Sequence, residues 1–146
     1  GYEVRKNYAG ADVICYLPFD TPDRVHDFLD AAAPVMAFFI KYAFWGNYLE
    51  TLKERGIPTY IISAIFRPDQ LFFQWFGKAY RKMLFYFDHL FVQDERSRQL
   101  LAQMAHGAQL PQKHLTAASL IMLSHLPLRL RASWLMATTS LLSHRL

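Results

Sequence analysis

V-M-A-F-F-I-K-Y-A-F-W-G-N, spanning Val35–Asn47, is the stretch that decides the fold. Val35–Ile40 is a continuous apolar run of strand length that follows the breaker Pro34. A run that short and uninterrupted predicts a strand buried on both faces, as in a parallel sheet. The character then changes. Lys41, Trp45 and Asn47 bring a charge, an indole donor and an amide to the end of the strand, and Gly46 or Asn47 opens the next helix. In open parallel sheets ligands sit outside the carboxyl ends of the strands, so this cluster is a site candidate on position alone.

The flanking sequence repeats the same alternation. Gly1–Tyr8 reads as the last turns of a helix closed by Ala9-Gly10, and Val13–Leu17 (V-I-C-Y-L) as a short strand ending in Pro18-Phe19-Asp20. Thr21, Pro22 and Asp23 open a helix as N-cap, first helical residue and first-turn acid. Its apolar stripe is Val25, Phe28, Leu29 and Ala32, and Pro34 stops it. Downstream of the central strand a helix is predicted over Asn47–Arg55, closed by Gly56 with Pro58 beyond. Thr59–Ile65 is a third strand, Lys78–Phe87 a basic-aromatic helix, His89–Val92 a fourth strand, and Glu95–Met104 a last helix. Strands alternating with helices predict an α/β, Rossmann-like parallel sheet with flanking helices and all strand ends on one rim.

Beyond Met104 the regularity is lost, and residues 105–146 read as an atypical, irregular, basic Leu-rich tail after a partial α/β domain over 1–104. All twelve acidic residues lie at or before Glu95, alongside ten Lys and Arg; the remainder carries six Lys and Arg and no acid. Such a split can mark a nucleic-acid arm. Here it coincides with the loss of periodicity and predicts a shifted reading frame instead, with no nucleic acid among the partners. A membrane-docking basic tail is the competing explanation.

The 146 residues are 53% apolar and 16% aromatic, which is material for a core and not a disordered composition. The lone Cys15 excludes an intrachain disulfide and, inside an apolar run, predicts a buried thiol in a reducing compartment. No stretch reaches the ~18 uninterrupted apolar residues of a spanning helix. Glycine-rich nucleotide loops, C-x-x-C, H-E-x-x-H and G-x-S-x-G are absent. The six histidines are scattered, four of them in the tail, so neither a metal nor a cofactor is expected. Lys78, Arg81 and Lys82 beside Phe72, Phe73, Trp75 and Phe76 suggest contact with an anionic membrane or phosphorylated lipid. A solvated basic face over a buried aromatic cluster is the plainer alternative.

Four rim segments remain: Tyr16–Asp20, Lys41–Asn47, Ser63–Arg67 and Gln93–Glu95. K-Y-A-F-W-G-N followed by Y-L-E-T-L-K-E-R-G-I-P resembles the N-terminal domain of 3-deoxy-D-manno-octulosonic acid (Kdo) transferases. Tyr16-Leu17-Pro18-x-Asp20, Ser63-Ala64 with Arg67, and Gln93-Asp94-Glu95 fall where that family's other short signatures lie. The resemblance covers about residues 1–104 and is most like the versions in Bacteroidetes-type bacteria. It implies the acceptor half of a two-domain GT-B glycosyltransferase of lipopolysaccharide core biosynthesis. That enzyme works at the cytoplasmic face of the inner membrane and moves Kdo from CMP-Kdo to a lipid A precursor.

Carried over residue by residue, the resemblance implies substrate binding by Lys41, Trp45, Asn47, Ser63, Arg67, Gln93 and Glu95; lipid contact by Lys78, Arg81 and Lys82 is the expectation from the basic-aromatic segment alone. It implies no catalytic residue in this chain. The family's central Glu is Ala43 here, and its glycine-glutamate base segment would lie before Gly1. Nothing after Met104 resembles the family's G-D-x-R-x-D element. The expectation is therefore a fragment without transferase activity of its own. A non-catalytic module that binds membrane or a partner through Gln70–Phe87 is the alternative from another class.

Overall fold

The computed structural model describes residues 6–107 and 134–138, with side chains over residues 6–105. Its elements are α1 (Pro22–Ala32), β1 (Met36–Ile40), α2 (Gly46–Glu54), β2 (Thr59–Ala64), a 3-10 turn (Leu71–Phe73), α3 (Lys78–Leu84), β3 (His89–Val92), α4 (Glu95–Gly107) and β4 (Trp134–Thr138). The strands form one parallel sheet in the order β3-β2-β1-β4. The expected α/β class, with a parallel sheet and flanking helices, is what the chain adopts.

Local sequence accounts for most boundaries. Pro22 starts α1, and Ala33, in the left-handed region, ends it by donating its N–H to the Leu29 carbonyl. Gly56 ends α2 at φ 66°. Its N–H bonds the Lys53 carbonyl and the Ile57 N–H reaches back to Leu52, each at 3.0 Å, which is the Schellman pattern a C′ glycine permits. β1 is buried on both faces, with Ala37, Phe38 and Phe39 all inside. Phe39 meets Phe87 edge to face, and Phe38 stacks on Tyr60 of β2. Tyr48, Leu49 and Leu52 of α2 fill the core beneath the sheet with Ile61 and Phe66.

Two expectations fail. Val13–Leu17 is not a strand: it makes no sheet pairing, Val13 and Tyr16 are 78% and 69% exposed, and Cys15 is exposed instead of buried. The reason is pairing geometry. Both edges of β1 are occupied, one by β2 and the other by β4, so an apolar, β-prone segment finds no ladder there. The basic-aromatic helix also ends early, at Leu84, with Phe85 as its C-cap. Of the tail, the described piece Trp134–Thr138 is a strand aligned with Met36–Ile40. The helix expected at the N-terminus falls mostly on residues 1–5, outside the described residues, and residues 6–10 are non-helical, mostly turn.

Candidate functional site

The carboxyl ends of β1, β2 and β3 lie side by side, and three of the expected residues meet there. Lys41 follows β1 with φ 60°, and its N–H bonds the Ile62 carbonyl at 3.0 Å. Ser63 has φ 61° at an irregularity where the β2–β3 register slips between Ile61 and Ala64. Gln93, just after β3, donates its side-chain amide to the Ser63 hydroxyl and carbonyl, at 2.5 and 3.2 Å. Two adjacent non-glycine residues in the left-handed region cost roughly 1–2 kcal/mol each. Such strain and bulging concentrate at functional rims, where they re-aim side chains.

Trp45 and Asn47 sit at the start of α2, and the residue that fixes them was not among those expected to bind. Trp45 is the N-cap by position and makes no side-chain cap. Asp20 supplies it across the chain. Its carboxylate accepts from the Asn47 and Tyr48 N–H groups at 3.4 and 3.2 Å, while the Asn47 amide donates to the Asp20 carbonyl at 2.7 Å. The Tyr48 hydroxyl donates to the Pro18 carbonyl at 3.2 Å, and Trp45 packs edge to face on the Tyr48 ring. Burial, then the Asp20 carboxylate, then Cys15 push the Tyr48 phenol up to about 12. It stays a hydrogen-bond donor and is no proton acceptor near neutrality.

Arg67 stands on the loop after β2. Its N–H bonds the Gln70 side-chain carbonyl and its carbonyl accepts the Gln70 N–H, both at 3.1 Å. Ser97, buried in the first turn of α4, accepts the Phe66 N–H at 2.8 Å. Its single hydroxyl proton lies between the Phe66 carbonyl at 3.3 Å and the Asp94 carboxylate at 3.0 Å. Asp94 also caps the Ser97 N–H at 2.7 Å. An open cavity of about 280 Å³ results, with Arg67, Asp69, Asp94 and Arg96 around Ile65 and Phe66.

Glu95 is not part of that lining. It turns along its own helix to Arg98, whose guanidinium holds it in two hydrogen bonds, with Gln99 adding a third. Those Arg98 bonds keep the Glu95 carboxyl below its ordinary value, which makes it a poor proton acceptor. Ala43, where the resemblance leads one to expect Glu, is fully buried in the core.

Of the three cations assigned to lipid, two are tied down. Arg81 donates to the Phe72 and Gln74 carbonyls at 3.4 and 3.1 Å. Lys82 bridges to Glu50 at 3.0 Å above the Tyr86 ring. Lys78 is exposed at the start of α3. The aromatic segment is split: Phe72 is buried, whereas Trp75 and Phe76 are 88% and 56% exposed.

A parallel sheet with flanking helices makes this an α/β domain, and its strained, polar strand-end rim is its candidate ligand site. The family model described as 3-Deoxy-D-manno-octulosonic-acid transferase (kdotransferase) matches residues 1–116, and the chain belongs to that family of glycosyltransferases. The match extends past Met104, where the motif resemblance ends. No solved structure matches the chain.

Proposed function

We propose that this chain is the acceptor-binding side of a Kdo transferase, and that the strand-end rim holds a lipid A precursor. The observation that carries the reading is the convergence of Lys41, Ser63 and Gln93 on one rim of a domain of this family. In the reaction a general base takes the proton of an acceptor hydroxyl. The freed oxygen attacks the anomeric carbon of Kdo, and the bond from that carbon to the CMP phosphate oxygen breaks as CMP leaves.

This chain's residues bind and orient. Lys41 and Arg67 offer cations to phosphate or carboxylate, and Asn47 and Trp45 hold the loop beside them. Glu95, already clamped by Arg98, is not the base. CMP-Kdo is bound elsewhere than on this rim, and no cofactor takes part. The exposed Trp75 and Phe76, with Lys78 beside them, support peripheral seating on the cytoplasmic face of the inner membrane.

Vesicles doped with lipid A precursor test the reading. The chain is expected to co-sediment with them more than with undoped vesicles, and Lys41→Ala is expected to reduce that preference. Trp75→Ala is expected to weaken binding to both. Equal binding to doped and undoped vesicles would sink the acceptor assignment, and turnover of CMP-Kdo by the chain alone would overturn its purely binding role.

A further inference from the structure

We propose that Val13–Leu17 and Trp134–Thr138 are alternative occupants of one edge of β1, so that the sheet exchanges β4 for a strand near its N-terminus. The proposal goes beyond the acceptor reading and does not depend on what the rim binds.

Connectivity fixes where Val13–Leu17 would pair. α1 and α2 pack on each other, and Val25 and Leu29 of α1 share one core with Tyr48, Leu49 and Leu52 of α2 and Phe39 of β1. The two helices therefore cover the same face of the sheet. Parallel crossovers are right-handed, so two successive ones on one face step across the sheet in one direction. From β1 the chain passes through α2 to β2 on one side. A strand entering β1 through α1 must lie on the other side, and that is the edge β4 holds.

The segment is anchored beside that edge. The Tyr48 hydroxyl donates to the Pro18 carbonyl, and the Asp20 carboxylate caps α2, which begins just past the carboxyl end of β1. Leu17 packs against the core. Laid beside β1 from this anchor, V-I-C-Y-L runs parallel to M-A-F-F-I and matches its length. Upstream of Leu17 the segment is unpaired, with Val13 and Tyr16 largely exposed. The connection through α1 alone is also far shorter than the one through α2 to α4 that delivers β4. Closing the shorter loop costs less entropy, so Val13–Leu17 takes the edge whenever β4 leaves it.

The test is amide hydrogen exchange on the full chain carrying Leu135→Pro and Met136→Pro. Neighbouring N–H groups of a strand face opposite ways, so one of the two prolines removes a bond to β1. A second chain competes for the edge as concentration rises, so exchange is read on dilute monomer. Alternate amides of Val13–Leu17 are expected to exchange about ten-fold or more slowly than in the parent. Should the proline pair not fold, Leu135→Gly with Met136→Gly weakens β4 more gently and is expected to slow the same amides. No slowing at Val13–Leu17 in a folded variant overturns the exchange, whether the edge stays open or a second chain takes it. Ile14→Pro with Cys15→Pro tests the other partner. This pair is expected to leave the parent's melting temperature unchanged and to lower that of the β4 variant; equal effects in both backgrounds overturn the exchange as well.

Discussion

Ala43 shows what one residue's placement decides. Its methyl group is sealed in the core, so a glutamate there would put a carboxylate where water cannot follow. Ala43→Glu is therefore expected to destabilise the fold by about 3 kcal/mol, without adding a group to the rim. Burial would raise that carboxyl's folded pKa, so the folded state would hold its proton more tightly than the unfolded one. The penalty is then smallest below the ordinary carboxylate pKa and grows as pH rises towards the folded value. Thermal melts of the variant at acid and neutral pH check the sign; a loss independent of pH would refute it. Lys41 makes the opposite case, because its left-handed backbone costs stability at the rim. Lys41→Gly is expected to raise stability by about 0.5 kcal/mol, the relief of strain being partly offset by glycine's larger unfolded-state entropy. A melting temperature that rises while acceptor binding falls would mark the strain as functional.

Between elements, the joints are polar contacts that sequence spacing does not announce. Asp20 caps α2 from 27 residues upstream, and removing it leaves the Asn47 and Tyr48 N–H groups without that acceptor. Asp20→Ala is expected to cost about 1–2 kcal/mol, with hydrogen-exchange protection lost first at Asn47–Leu49. Unchanged protection there would show the cap to be idle. A second joint ties α2 to α3: Glu50 accepts from Tyr86 at 2.6 Å and from Lys82 at 3.0 Å. Those bonds, Tyr86's first, hold the Glu50 carboxyl below its usual 4.5, so its contribution is present above that pH and lost as pH falls through the folded value. The stability gap between the parent and Glu50→Gln should thus narrow as pH falls below the ordinary carboxylate value; a constant gap would contradict it. The sequence displayed α1, α2 and β1 plainly because their signals are local: Pro22, Gly56, and an apolar run too short for a helix. It misplaced Val13–Leu17 because β-branched composition says what a segment can do, whereas pairing depends on an edge elsewhere. At the site, Lys41, Ser63 and Gln93 were legible as strand-end residues, but Ser97 carried no local signal and became visible only as the contact that draws Phe66 onto α4.

For the whole molecule the decisive question is what closes the sheet. β1 is its most apolar strand, and its neighbour on one side is β2, held in register from Ala37 to Ile40. The other side is closed by Trp134–Thr138, paired in parallel along all of Met36–Ile40. Parallel strands are buried strands, and an open apolar edge is a template for pairing with other chains. Deleting residues 134–146 would expose the backbone groups of M-A-F-F-I along that edge while leaving α1, α2 and the rim of Lys41, Ser63 and Gln93 in the chain. The shortened protein is expected to melt lower and to self-associate with rising concentration, read by size-exclusion chromatography with light scattering. A deletion that stays monomeric, with an unchanged melting temperature, would show that β4 does not hold the sheet. Trp134–Thr138 would then have no part in holding the sheet, and the strands and helices from α1 to α4 would carry its stability without it.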